Sequence, residues 1–192
     1  MYHEKVRRGP TQSGDEVASI HDRVVFKQPD LDQHLHFDAH SRRTLIDHFY
    51  DANTSLDQVA RGEATELGDF VDNAFSASIH KNPNRIQIRM ERNGHVAGHP
   101  VAMTKGITLE SGTNVLEFGY RLEGLTPGQV LHFAPELNFA GLPAGADDRY
   151  FFQGEQRLGQ LGARLQLSNE TELGLTDEWL GIALQLTSNR PM

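Results

Sequence analysis

The chain has 192 residues, of which 38% are hydrophobic and 23% charged, enough for one sizeable globular core and not for two. Lys and Arg total 18 against 26 Asp and Glu, a net charge of −8, which argues against a surface that coats nucleic acid or anionic lipid. No apolar run approaches the roughly 20 residues of a membrane span, no signal-peptide core opens the chain, and cysteine is absent, so a cytoplasmic protein without disulfides is expected.

Residues 1–19, rich in charge, Gly and Ser, read as a poorly ordered N-terminal segment, and residues 20–192 as one β-sandwich domain. Three short runs follow, Val24–Lys27, Leu35–Asp38 and Thr44–Tyr50, each rich in β-branched and aromatic residues and too short for an ordinary helix. The polar stretches QPDLD and AHSRR divide them, so they read as successive strands. The stretch DANTSLDQVARG predicts one short helix, with Ser55 as N-cap and Gly62 as its stop.

From Asp69 onward the pattern is β. Ile86, Ile88 and Met90 alternate with Gln87 and Arg89, and Asn93-Gly94 predicts a two-residue hairpin turn with the return strand from His95-Val96. Leu116, Phe118, Tyr120 and Leu122 share one face of the next strand, and Gly124–Gly128 turns the chain. Further strands are expected over Val130–Phe139, Arg149–Gln153, Ala163–Leu167 and Trp179–Thr187. About ten strands against one short helix predict an all-β, large antiparallel sandwich.

Several of these segments carry specific wording. They are His21-Asp22, Leu31, Leu35, Phe37-Asp38, Arg42 or Arg43, and Leu45 with Asp47-His48-Phe49. Tyr2-His3-Glu4-Lys5-Val6, Leu67-Gly68-Asp69-Phe70-Val71 and Glu136-Leu137-Asn138 add to the series. In this order they resemble the C-terminal domain of the α-amylase/4-α-glucanotransferase enzymes of glycoside hydrolase family 57. The resemblance implies a galactose-mutarotase-like supersandwich, here without its outermost strands. It also implies that the catalytic Glu and Asp sit on a separate upstream barrel, which would be this chain's partner, with α-glucan as a second partner.

Glycoside hydrolysis of the common kind needs two carboxylates facing the scissile bond. Asp147-Asp148 is the most conspicuous acidic pair, and it reads as a turn before a strand, so no catalytic residue is expected here. His34 and His36 would share one strand face and could present two imidazoles to a zinc ion, with His40 or His48 as third ligand. The simpler reading is a polar sheet face, so no metal and no cofactor are expected. Asp47 and His48 could form half of a catalytic dyad, but no activated nucleophile accompanies them. The expectation is that Asp47 caps a turn, accepts a backbone N–H or pairs with Arg42 or Arg43, while His48 faces a groove or packs at a domain interface. Glu136 and Asn138 share a strand face and could hydrogen-bond sugar hydroxyls, and Trp179 is either core or a sugar platform.

Three functions therefore stay open. One is a non-catalytic domain of an α-glucan-acting enzyme. Another is an aldose-1-epimerase-like enzyme using His48 and Glu136 as acid and base. The last is a free-standing carbohydrate-binding module.

Overall fold

In the computed structural model the described residues are 40–41, 43–139 and 144–191. The expected strands at Val24–Lys27 and Leu35–Asp38, and the boundary at residue 19, lie outside them. Among the described residues there are ten strands, all paired antiparallel, and one short helix. No described helix is long and apolar enough to cross a membrane.

Strand β1 (Ile46–Asp51) leads to helix α1 (Leu56–Ala60). Ser55 caps α1 as its sequence predicts. Its hydroxyl accepts the Gln58 N–H, and the Gln58 side chain accepts the Ser55 N–H in return. Four strands follow: β2 (Ser76–Asn82), β3 (Arg85–Val96), β4 (His99–Glu110) and β5 (Leu116–Glu123), which form one sheet in that order. Strand β6 (Leu131–Glu136) then returns to pair with β1 as a two-stranded ribbon. The last four, β7 (Arg149–Gln153), β8 (Gln156–Gln160), β9 (Glu172–Asp177) and β10 (Ile182–Thr187), make a second sheet ordered β10-β9-β7-β8.

The core forms where the ribbon lies on the β2–β5 sheet. Phe49, Phe70, Val96, Val101 and Met103 are buried, with Phe75, Tyr120, Leu122, Leu131 and Phe133 packed against them. The Phe49 ring lies 5.1 Å from Phe133 and 5.6 Å from Phe70, centroid to centroid. Toward the far ends of the same strands this face stays apolar but opens to solvent. Ile79, Ile86, Leu109 and Leu116 share the face by register and are exposed. An antiparallel, sandwich-like all-β domain is thus what the alternation predicts.

Several elements differ from expectation. Strand β3 runs through Asn93-Gly94, and the chain reverses at Ala97-Gly98, whose φ values of +49° and +80° suit a tight hairpin. Gly94 serves another purpose, since a Cβ there would overlap the Asp69 carboxylate and the Phe70 ring. Residues 163–167 form no strand, whereas β2, β8 and β9 were not singled out by the sequence. Trp179 lies on the turn between β9 and β10 rather than at a strand start, because Asp177 ends β9 by accepting the Leu180 N–H at 2.9 Å.

Truncating Phe49 to Ala should destabilise the domain by about 3–5 kcal/mol, as for other buried aromatics. Urea denaturation measures this, and a loss below about 1 kcal/mol would place Phe49 outside the core.

Candidate functional site

Strand β1 has five consecutive buried residues, Ile46 to Tyr50, instead of alternating burial. Asp47 and Phe49 point one way, toward the β2–β5 sheet, and Ile46, His48 and Tyr50 point the other. Both polar side chains of the Asp47-His48 pair must therefore find partners inside the domain.

On the sheet side the partner is Lys105 of β4. It occupies the inward row Val101, Met103, Lys105, Ile107 and Leu109, a lone cation in an apolar stripe. Lys105 is 4% and Asp47 0% exposed, and the ammonium contacts the carboxylate directly. The same ammonium donates to the Leu45 carbonyl at 2.8 Å and sits 4.2 Å from the centroid of the Phe75 ring. Burial pushes the Asp47 carboxyl up, and the bond and charge of Lys105 hold it back without cancelling the rise. Burial likewise pushes up the Tyr120 hydroxyl, with the adjacent Asp47 carboxylate adding to it. Arg43, expected as the partner of Asp47, is instead exposed and 3.9 Å from Asp72, and Arg42 lies outside the described residues.

On the other face His48 is held between two carboxylates. Its Nδ1 is 2.8 Å from Glu66 Oε2 and its Nε2 is 2.9 Å from Glu136 Oε2. Glu136 reaches it because the ribbon pairs Ile46 with Glu136 and His48 with Ala134, which makes Glu136 a diagonal neighbour on the same face. Glu66 is fixed by backbone: its Oε1 accepts the N–H of Phe49 and of Gly68, both at 2.9 Å. That carboxylate stands in for a strand neighbour along this stretch of β1. The adjacent Leu67 N–H donates to the Phe49 carbonyl, and its carbonyl accepts from Ala97, tying β1 to the β3–β4 hairpin.

With acceptors on both ring nitrogens, His48 is an imidazolium that donates twice. The bond to Glu66 raises its pKa most, burial opposes this, and Glu136 adds to the rise. Burial alone would raise the Glu136 carboxyl. Bonds from Asn138, His48 and His40 outweigh it and bring it below the usual range. The Tyr50 ring stacks on His48 at 5.4 Å, and burial beside the two glutamates pushes its hydroxyl up to about 12. His40 completes the group, with Nε2 3.3 Å from Glu136 Oε2 and its ring 5.3 Å from that of His48. Asn138 donates to Glu136 Oε1 and to the Arg43 carbonyl.

Asp47, His48, Glu136 and Asn138 thus meet at one end of the β1–β6 ribbon, Asp47 on its opposite face. Trp179 belongs to the other sheet. It is 75% exposed, with the Arg149 guanidinium 5.6 Å from its ring centroid, which settles that it is not core. His34 and His36 lie outside the described residues. Glu66 and Lys105 were missed by sequence reasoning. Lys105 carried a signal, a charge on an inward parity position, while Glu66 sits in an irregular segment and carried none.

Replacing Lys105 with Met should cost about 3–5 kcal/mol by leaving Asp47 buried without a cation. The double change Lys105→Met with Asp47→Leu should cost less than the single one in the same denaturation experiment. A raised native pKa means that the His48 pairing contributes fully below its unfolded value of about 6.5 and is lost as pH rises through the native value. The lowered Glu136 works in reverse, contributing above about 4.3 and lost as pH falls. His48→Gln should therefore flatten the alkaline loss of stability measured by urea melts up to about pH 9. An unchanged alkaline slope would remove His48 as its source.

The profile of the family described as Alpha-amylase/4-alpha-glucanotransferase, C-terminal, matches residues 1–192. A 4-alpha-glucanotransferase of Thermococcus kodakarensis is 32% identical over 140 residues, covering 72% of this chain and 20% of that protein. An Alpha-amylase of Pyrococcus abyssi is 33% identical over 63 residues, 33% of this chain and 10% of that protein. Alpha-amylase 1 of Dictyoglomus thermophilum is 23% identical over 158 residues, 81% of this chain and 22% of that protein. The chain spans at most about a fifth of the length of these curated relatives. No solved structure is significantly similar to it. With the family profile matching from end to end, the chain belongs to the C-terminal domain family of alpha-amylases and 4-alpha-glucanotransferases.

Proposed function

We propose that this chain acts as a non-catalytic β-domain of an α-glucan-processing enzyme of the glycoside hydrolase family 57 type, packing against an upstream catalytic barrel. The observation that carries this reading is the family match over the whole chain, in relatives of which it spans only about a fifth. Two structural features support it. The apolar face of the β2–β5 sheet continues past the core into exposed Ile79, Ile86, Leu109 and Leu116, a surface suited to packing against more polypeptide. The carboxylates of the site are also occupied: Asp47 by Lys105, Glu66 by two backbone N–H groups and His48, and Glu136 by His48, His40 and Asn138. A glycosidase pair needs one acid and one base or nucleophile free to face a sugar.

Direct contact with α-glucan is the finer part of the proposal, and Trp179 supports it. Its ring is exposed on a tight turn and has a cation beside it, a rigid apolar platform of the kind that stacks on sugar rings. The aldose-1-epimerase reading has less support. Its acid and base must face a substrate's ring oxygen and anomeric hydroxyl, whereas His48 and Glu136 are bonded to one another.

The purified 192-residue chain should show no turnover of maltooligosaccharides, and measurable turnover would refute the non-catalytic assignment. In isothermal titration with maltoheptaose, Trp179→Ala should weaken binding at least about tenfold, the loss of about 1.4 kcal/mol. Binding unaffected by that change would remove Trp179 as the glucan contact.

A further inference from the structure

The cluster at the end of the β1–β6 ribbon has a composition that hydrogen bonding alone does not require. His40 Nε2, His48 Nε2 and Glu136 Oε2 converge from three places: the chain entering β1, β1 itself and the last residue of β6. One ligand atom from each of the three residues lies within 4.8 Å of the others. Glu136 Oε2 is already 2.9 Å from His48 Nε2 and 3.3 Å from His40 Nε2. Ligands bound to zinc at about 2.0–2.1 Å in a tetrahedron stand roughly 3.3–3.4 Å apart, so small side-chain shifts would seat an ion between them.

We propose that His40, His48 and Glu136 form a binding site for one divalent transition-metal ion of the zinc type. Two imidazole nitrogens and one carboxylate oxygen are a donor set that suits zinc and its neighbours and disfavours calcium or magnesium, which take oxygen ligands. The surroundings match those of a metal site as well. Glu66 accepts from His48 Nδ1 at 2.8 Å and is itself anchored by the N–H groups of Phe49 and Gly68. This is the carboxylate–histidine relay that fixes a ligating imidazole so that Nε2 faces the ion. Asn138 steadies Glu136 through Oε1 and is tethered to the Arg43 carbonyl at 2.8 Å, leaving Oε2 directed at the two histidines. Exposure rises across the ligands, from 7% for the His48 side chain to 20% for His40 and 31% for Glu136. An ion can enter from that side, and three protein donors among the described residues leave a coordination position for water or another group. The ion would take the place of the proton that His48 Nε2 shares with Glu136. It would link the segment before β1 to the end of β6.

The absence of cysteine from the chain makes a direct test available. The tag-free, EDTA-stripped chain should bind about one Co²⁺ or Zn²⁺ and gain thermal stability as it does so. His40→Asn, a change at a half-buried residue, should abolish that binding while the far-UV circular dichroism stays unchanged. Glu66→Gln should keep the stoichiometry and weaken affinity about 10–100-fold, as for removal of a group that orients a ligand. His40→Cys should restore binding and give a thiolate-to-Co²⁺ charge-transfer band, which can arise only if position 40 touches the ion. No bound metal in the parent chain overturns the proposal, as does binding that survives His40→Asn. A cobalt complex of His40→Cys without that band overturns it too.

Discussion

Strand β1 is buried on both faces and carries an acid next to a base, and the rest of the domain is arranged around that constraint. Alternation sends Asp47 and His48 in opposite directions, so they cannot neutralise each other. A cation has to reach β1 from one side and anions from the other. Lys105 does the first from the middle of an apolar row. Glu66 and Glu136 do the second from an irregular segment and from the end of β6. Each contact crosses between elements, so the charges that satisfy β1 also fix how the ribbon sits on its sheet. An unpaired buried charge would cost several kcal/mol, which makes these pairings a strong filter on alternative packings even where their net contribution to stability is small.

The two faces differ in kind. The Asp47–Lys105 side is sealed, lying among Phe75, Tyr120 and the core aromatics, and it has the character of an internal tie. The His48 side opens gradually through His40 and Glu136 to solvent. One short sequence, Asp47-His48-Phe49, thus supplies a structural ion pair, an accessible polar cluster and the central core aromatic. Each of its three side chains is engaged by a different part of the fold: Asp47 by Lys105, His48 by Glu66 and Glu136, and Phe49 by Phe70 and Phe133.

Much of the fold was legible because strand alternation is a local signal. Ile86, Ile88 and Met90, the row from Leu116 to Leu122, and the Ser55 cap all kept their predicted places. The failures share a cause. Asn93-Gly94 is a strong hairpin signal, yet pairing continues through it because Gly94 is needed to admit Asp69 and Phe70, and Ala97-Gly98 makes the turn. Strand β2 reads Ser-Ala-Ser-Ile-His-Lys-Asn and is exposed throughout, so no hydrophobic period marks it. The site was legible only as fragments. His48 and Glu136 lie 88 residues apart and were joined only by the epimerase reading's need for an acid and a base; the antiparallel register of β1 with β6 is what puts them side by side. Glu66 was invisible because its role is to satisfy backbone N–H groups, which no side-chain pattern announces.

The central claim is that His48 is held as a doubly donating imidazolium between Glu66 and Glu136, organising the ribbon and the site at its end. Long-range ¹H–¹⁵N correlation spectra of the imidazole in the metal-free, ¹⁵N-labelled chain near neutral pH test it directly. The account predicts that both ring nitrogens of His48 have shifts of protonated nitrogen. One nitrogen at the shift of an unprotonated imidazole would contradict it, because one of the two carboxylate bonds would then lack its proton.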